Sequence, residues 1–236
     1  MNHPLRRWAG RWTLAAALMV PVTLSMVLLG CDSIAYVGNA FHDDRVPPRF
    51  SLPAGNYLVL VDDPDFRLGD PSLSNAAAAW AGDSLRKNTG SKVSIVPVQK
   101  LVELAQKTGQ EFASMPVDQV GSELGATHVI YVFIEKAGVS GDPGLYRPRA
   151  LVRVNVLEVA TGRRIFPAGQ LSAEASSAGT AAQGEPVEVL LHYSTSDQNP
   201  VAETSMFMRQ LAQQIGVEVA KVFYKHDPPK VPRYND

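Results

Sequence analysis

Apolar residues follow three different rhythms along this chain. Thr13 to Gly30 is a continuous apolar run without a charge. Further on, Tyr57-Leu58-Val59-Leu60-Val61, Val93-Ser94-Ile95-Val96 and Thr127 to Ile134 are shorter runs. They predict strands covered on both faces. Ala150 to Val159 instead alternates. Ala150, Val152, Val154 and Val156 fall on one side, Arg153 and Asn155 on the other, which predicts a half-exposed antiparallel strand. Elsewhere the spacing is helical. Leu73, Ala77, Trp80, Ala81 and Leu85 recur through Ser72 to Asn88, whose many alanines suit close packing on a sheet. Short helices are predicted over 98–106 and 116–124. A long final helix carries Met208, Leu211, Ala212, Ile215, Val219, Val222 and Phe223 as its apolar stripe.

Turn residues punctuate these segments. Gly90 can close the first helix, while Pro116 and Gly125 bracket the third. Asn199 is a suitable cap for the last helix and Pro200 suits its first position. Thr161-Gly162 predicts a hairpin returning through Arg164-Ile165-Phe166. Gly138 to Pro148 reads as a Gly/Pro loop, and Leu171 to Gly184, rich in Ala, Ser and Gly, as a flexible one. Val187 to Tyr193 fits either a strand or a docked segment. The fold class is α/β (α+β in the strict sense): a mixed sheet with packed helices, a β-hairpin and a long C-terminal helix. Four parts are expected: a signal at 1–30, a tether at 31–55, one domain at 56–225 and a disordered tail at 226–236.

The first apolar run follows Arg6, Arg7 and Arg11, and so has the charged and apolar parts of an export signal. It ends in Leu28-Leu29-Gly30-Cys31, which resembles the lipobox of bacterial lipoproteins. The resemblance implies diacylglyceryl transfer to the Cys31 sulfur, cleavage after Gly30 and acylation of the new amino group. A permanent membrane span competes with this reading, but Pro21 interrupts the run and the cysteine stands where cleavage requires it. Cys31 is the only cysteine and has no intramolecular disulfide partner. A lipid-anchored protein facing the periplasm is therefore expected. Asp32, next to the cysteine, resembles an inner-membrane retention signal of enterobacterial lipoproteins.

Charge narrows the partners. The chain has 22 Lys+Arg and 23 Asp+Glu; without the three arginines of the signal, 19 bases face 23 acids, a net −4. That argues against nucleic acid, which requires a basic surface. Without disulfides, a hydrophobic core must hold the domain.

Two segments carry a second resemblance, over roughly Asn56 to Gly169: Val120-Gly121-Ser122-Glu123-Leu124-Gly125-Ala126-Thr127-His128-Val129-Ile130 and Val156-Leu157-Glu158-Val159-Ala160-Thr161-Gly162. They are similar to segments of a group of envelope lipoprotein domains. That group includes the curli-secretion channel lipoprotein, the lipoprotein activator of penicillin-binding protein and the N-terminal domain of TolB. Thr127 and Glu158 stand where those segments carry aspartate, and so depart from the pattern. The resemblance implies a binding or assembly role with an envelope protein partner, and no catalysis.

The candidate chemistry is sparse. Asp62, Asp63, Asp65 and Asp70 follow the first strand, at the end of the sheet where open α/β folds hold ligands. They offer the alternative of an envelope-directed enzyme, although their spacing matches no calcium loop and a solvated turn explains them better. A small-ligand-binding lipoprotein is a third reading. His42, His128 and His192 are isolated, with His128 expected at a strand edge, and no metal or cofactor is expected. Ser140, in Gly138-Val139-Ser140-Gly141-Asp142, lacks the Gly-x-Ser-x-Gly pattern of a nucleophile turn and reads as loop. Tyr146, Arg147 and Arg149 combine a rigid amphipathic ring with planar donor forks, and are the expected partner-binding patch.

Overall fold

The computed structural model describes residues 44–140, 147–168, 184–191 and 200–228, with backbone alone at Ser140, Arg147 and 200–203. The signal, Cys31, Tyr146, His42, His192, Asn199, most of the expected 171–184 loop and most of the tail lie outside them. Among the described residues no helix is long and apolar enough to cross a membrane.

The fold is α/β with a mixed six-stranded sheet, as the pattern predicts. In chain order the elements are β1 (Gly55–Asp62), α1 (Pro71–Asn88), β2 (Val93–Ile95), α2 (Val98–Thr108), a 3₁₀ turn (Gly109–Ser114), α3 (Val117–Glu123), β3 (His128–Ser140), β4 (Arg147–Glu158), β5 (Arg163–Phe166), β6 (Glu185–Leu190) and α4 (Pro200–Lys221). The sheet order is β2-β1-β3-β4-β5, with β6 also on β4. β1 is parallel to β2 and β3; every other pairing is antiparallel. β5 and β6 share the far edge of β4 in tandem, β5 beside Val156 to Glu158 and β6 beside Arg149 to Val154.

Helices cover the two faces unequally. On the first face Tyr57, Val59, Ile130, Val132, Ile134, Val152, Val154 and Val156 pack with α1 and α4 in one continuous core. On the second, α2, α3 and the 3₁₀ turn bury Leu58, Val129, Tyr131 and Leu157, covering β1, the first half of β3 and the end of β4. Burying each large apolar side chain contributes roughly 1.5–3 kcal/mol, so the first face dominates stability. The alanines of α1 meet a helix as well as the sheet. Gly216 of α4 lies so close to α1 that an added Cβ would stand 2.4 Å from the Ala77 carbonyl oxygen.

The structure differs from the sequence reading at several places. Residues 138–140 and 147–148, expected in a loop, continue the β3–β4 ladder as Gly138↔Arg149, Val139↔Pro148 and Ser140↔Arg147. Pro148 is tolerated because its backbone faces β6, where its carbonyl accepts from Leu191 N at 2.9 Å. Its missing N–H therefore takes no bond from β3. This pairing also places Ser140 at a strand end. Between Ile134 and Lys136 the register slips, and Glu135 is the extra residue of a bulge. β4 is less exposed than its alternation suggests, since Asn155 on its polar side is completely buried.

The packed body also begins before Asn56 and ends after Lys225. Val46 and His226 bridge, Arg49 N and Phe50 N both donate to the Val222 carbonyl, and Phe50 lies 5.0 Å from Phe166 ring to ring. A proline-rich stretch without apolar periodicity can dock this way through one aromatic anchor and a few backbone bonds. β6 settles the open assignment of Val187 to Leu190 as strand.

Candidate functional site

The amino ends of β1 and β3 are closed by local hydrogen bonds. α3 ends at Leu124 and Gly125 takes φ +68°, the left-handed turn expected of it. Gly125 N donates to the Ser122 carbonyl and Ala126 N to that of Gly121. The Thr127 hydroxyl oxygen accepts from Asn56 N at 2.9 Å and lies 2.9 Å from His128 Nδ1. His128, expected at a strand edge, is instead almost buried and stacks on Tyr57 at 4.8 Å between centroids. Its imidazole pKa is lowered by burial, against an opposing pull from the Glu158 carboxylate. Burial also pushes the Tyr57 phenol up to about 12. Its hydroxyl donates to the Pro53 carbonyl at 2.9 Å. The Thr161-Gly162 turn forms as predicted. Gly162 takes φ +63° and the Thr161 hydroxyl donates to Glu158 at 2.7 Å, so the longer acid fits this turn.

The carboxyl ends are built differently. The four aspartates do not converge on a common point. Asp62 accepts a hydrogen bond from the Tyr131 hydroxyl. Burial, then that bond and charge, raise the Tyr131 pKa. Asp63 accepts from Arg67 N at 2.8 Å and Leu68 N at 2.9 Å, folding the loop so that Leu68 enters the core. Asp65 pairs with the Arg67 guanidinium at 2.7 Å. Asp70 caps α1 by accepting from Ser72 N at 2.8 Å, and that backbone bond is the main reason its pKa is lowered. Each carboxylate thus has a local structural task, and no group of three metal-ligating side chains occurs among the described residues.

This loop presents Phe66 with φ +51°, a left-handed conformation disfavoured for an aromatic residue, and leaves it 62 % exposed. Beneath it, Leu60, Val61, Leu101, Ala105 and Phe112 line a groove of about 410 Å³. A second open groove, of about 470 Å³, lies on the arm formed by the outer halves of β3 and β4. Lys136, Gly138, Arg149, Leu151 and Glu188 line it, and the exposed Leu190 stands beside Arg149 in the ladder.

Of the expected partner patch, Arg149 is exposed on this arm, Arg147 is placed by backbone alone and Tyr146 lies outside the described residues. Sequence reasoning did not single out Phe66, Lys136, Gly138, Glu188 or Leu190. Two signals were available: a lone aromatic inside an aspartate turn, and the adjacent charges Glu135-Lys136 breaking an apolar run.

No family model matches this chain, and no curated protein matches it. Solved structures do. Lipoprotein GNA1162 from Neisseria meningitidis is 12% identical, with a TM-score of 0.40 over 68% of this chain and 96% of that one. A PelC dodecamer from Paraburkholderia phytofirmans is 12% identical, with a TM-score of 0.36 over 75% and 93%. Protein XCC0632 from Xanthomonas campestris is 9% identical, with a TM-score of 0.31 over 75% and 85%.

Proposed function

We infer that this chain is an envelope lipoprotein, anchored through Cys31 and facing the periplasm, that binds a protein partner rather than transforming a substrate. The supporting observation is the β3–β4 arm. Its second face is uncovered by α2 and α3, carries Arg149 and Lys136, and borders the exposed Leu190. An exposed apolar side chain among cations on a rigid ladder suits partner contact. The enzyme reading loses support because the Asp62, Asp63 and Asp65 carboxylates are each engaged locally. The anchor rests on the lipobox resemblance of Leu28-Leu29-Gly30-Cys31.

The test is pulldown from solubilised envelopes with the lipidated chain. Tyr146→Ala and Arg149→Ala are each expected to weaken capture, by about 2 kcal/mol for a true anchor. Asp65→Asn is expected to leave it unchanged. Full capture by both the Tyr146 and the Arg149 variant, or an envelope-directed activity lost on removing the aspartates, overturns this reading.

A further inference from the structure

Resting on that reading, we propose that the second face of the β3–β4 arm receives an extended acidic segment of the partner protein, with a carboxylate held over Gly138 by Lys136 and Arg149. The ladder fixes the layout. Lys136 pairs with Leu151 and Leu151 with Glu188; Gly138 pairs with Arg149 and Arg149 with Leu190. Residues paired across antiparallel strands share a face. The six therefore form two rows of three: Lys136, Leu151, Glu188 and Gly138, Arg149, Leu190.

The centre of the cation pair is empty of side chain. Gly138 has no Cβ, and a Cβ built there would meet nothing within 4 Å. Arg149 stands across from it, about 5 Å away in Cβ spacing, and Lys136 lies two residues along the same strand. Both cations are exposed, and among the described residues neither Lys136, Arg149 nor Glu188 is in an ion pair. The nearest ion pair on this face is Arg153 with Glu135, one row deeper. Two unneutralised cations around an open floor call for an anion, and a planar guanidinium beside an ammonium suits a carboxylate.

The rest of the face selects a peptide. Leu151 stands beside Lys136 and the exposed Leu190 beside Arg149, so the occupant carries an apolar side chain next to its acid. Glu188 is an exposed acid in the same rows. A uniformly anionic bilayer would set its charge against Glu188 as well, whereas a segment with an acid, an apolar residue and a base satisfies all three columns. The groove of about 470 Å³ admits a short segment lying across the strands.

The experiment places a photocrosslinking residue at Leu190, and in a separate strain at Tyr146, of the full lipid-anchored chain in cells. Mass spectrometry then identifies the crosslinked peptide. A peptide with Asp or Glu within about three residues of the Leu190 crosslink is expected. That peptide, synthesised, should bind the purified chain about tenfold or more weakly when Lys136→Glu and Arg149→Glu are combined. Changing the peptide's acid to lysine should restore its binding to the doubly reversed chain. Raising salt from 0.15 to 1 M, which shortens the screening length from about 8 to 3 Å, should weaken the native pair. A captured peptide without an acid, affinity indifferent to charge reversal, or crosslinks from Leu190 to phosphatidylglycerol alone while Tyr146 captures protein, overturns this proposal and leaves the protein-binding reading standing. No protein crosslink from either position overturns that reading, and this proposal with it.

Discussion

The two ends of the sheet differ in what their polar groups do. At the amino ends of β1 and β3, the Gly125 turn, the Thr127 hydroxyl, the His128–Tyr57 stack and the Glu158–Thr161 bond close the structure on itself. At the carboxyl ends the backbone is equally well tied, through Asp63 and Asp70, yet it presents Phe66 to solvent and extends an arm with the exposed cations Lys136 and Arg149. Hydrogen bonds at one end maintain the fold. At the other they hold exposed groups in place, an arrangement that suits recognition.

Substitutions at the amino end should therefore be costly. The largest effect is expected from Gly121→Val. A Cβ at Gly121 would stand 2.7 Å from Val159 Cγ2 and 2.8 Å from Val129 Cγ2, so α3 or these two packed valines must shift. Urea unfolding is expected to show a loss of about 3 kcal/mol, at the upper end for overpacking. An unchanged midpoint would show that this end is as permissive as the other.

Thr127→Ala comes next. It removes the acceptor for Asn56 N and the contact with His128, and a loss of about 1–2 kcal/mol is expected by the same measurement.

A smaller, pH-dependent effect distinguishes His128. Its folded pKa lies below the unfolded value, so the unfolded state binds more protons as acid is added. This contribution is complete above about pH 6.5 and is lost as pH falls through the lowered folded pKa. In urea midpoints taken at pH 7 and pH 5, wild type should lose more than His128→Phe. Equal losses would remove the imidazole from the account.

The smallest effect, of opposite sign, is expected at the carboxyl end. Phe66→Asn relieves a left-handed aromatic residue and should raise stability by up to about 1 kcal/mol, read as a higher melting temperature. A clear loss would mean that Phe66 packs into its groove, and the contrast between the ends would fail.

The same contrast governs what could be read from the sequence. The amino end was legible where its devices are local, at Gly125 and Thr161-Gly162, and not in the Asn56–Thr127 bond or the Tyr57–His128 stack, which join distant residues. Gly125 and Gly162 sit at left-handed positions that favour glycine, and Val129 to Ile134 after Gly125 is a continuous apolar run. The fold class followed from the same periodicities. The carboxyl end was legible only in part. Asp70 as a helix cap before Pro71 has a local signature, whereas the bond between Asp62 and Tyr131 joins residues distant in sequence. The Gly/Pro composition of 138–148 pointed to a loop because propensity does not register a ladder in which the Pro148 backbone turns away from β3 and toward β6. Residues 46–54 were read as tether because a single aromatic, Phe50, anchors them with no repeat to reveal it. The grouping of Lys136, Gly138, Arg149 and Glu188 depends on pairing three strands in register, which no local pattern contains.

The bulge at Glu135 has a consequence for how such an arm can vary. Removing Glu135 would still set Lys136 opposite Leu151 and Ala137 opposite Ala150, so every side chain beyond it would keep its face. What would go is the local bend and extra twist that a bulge gives its strand. The cargo of the arm is thus encoded by which residues it contains, and its aim by how many. A one-residue change in length at that position would repoint the same chemical surface without altering it.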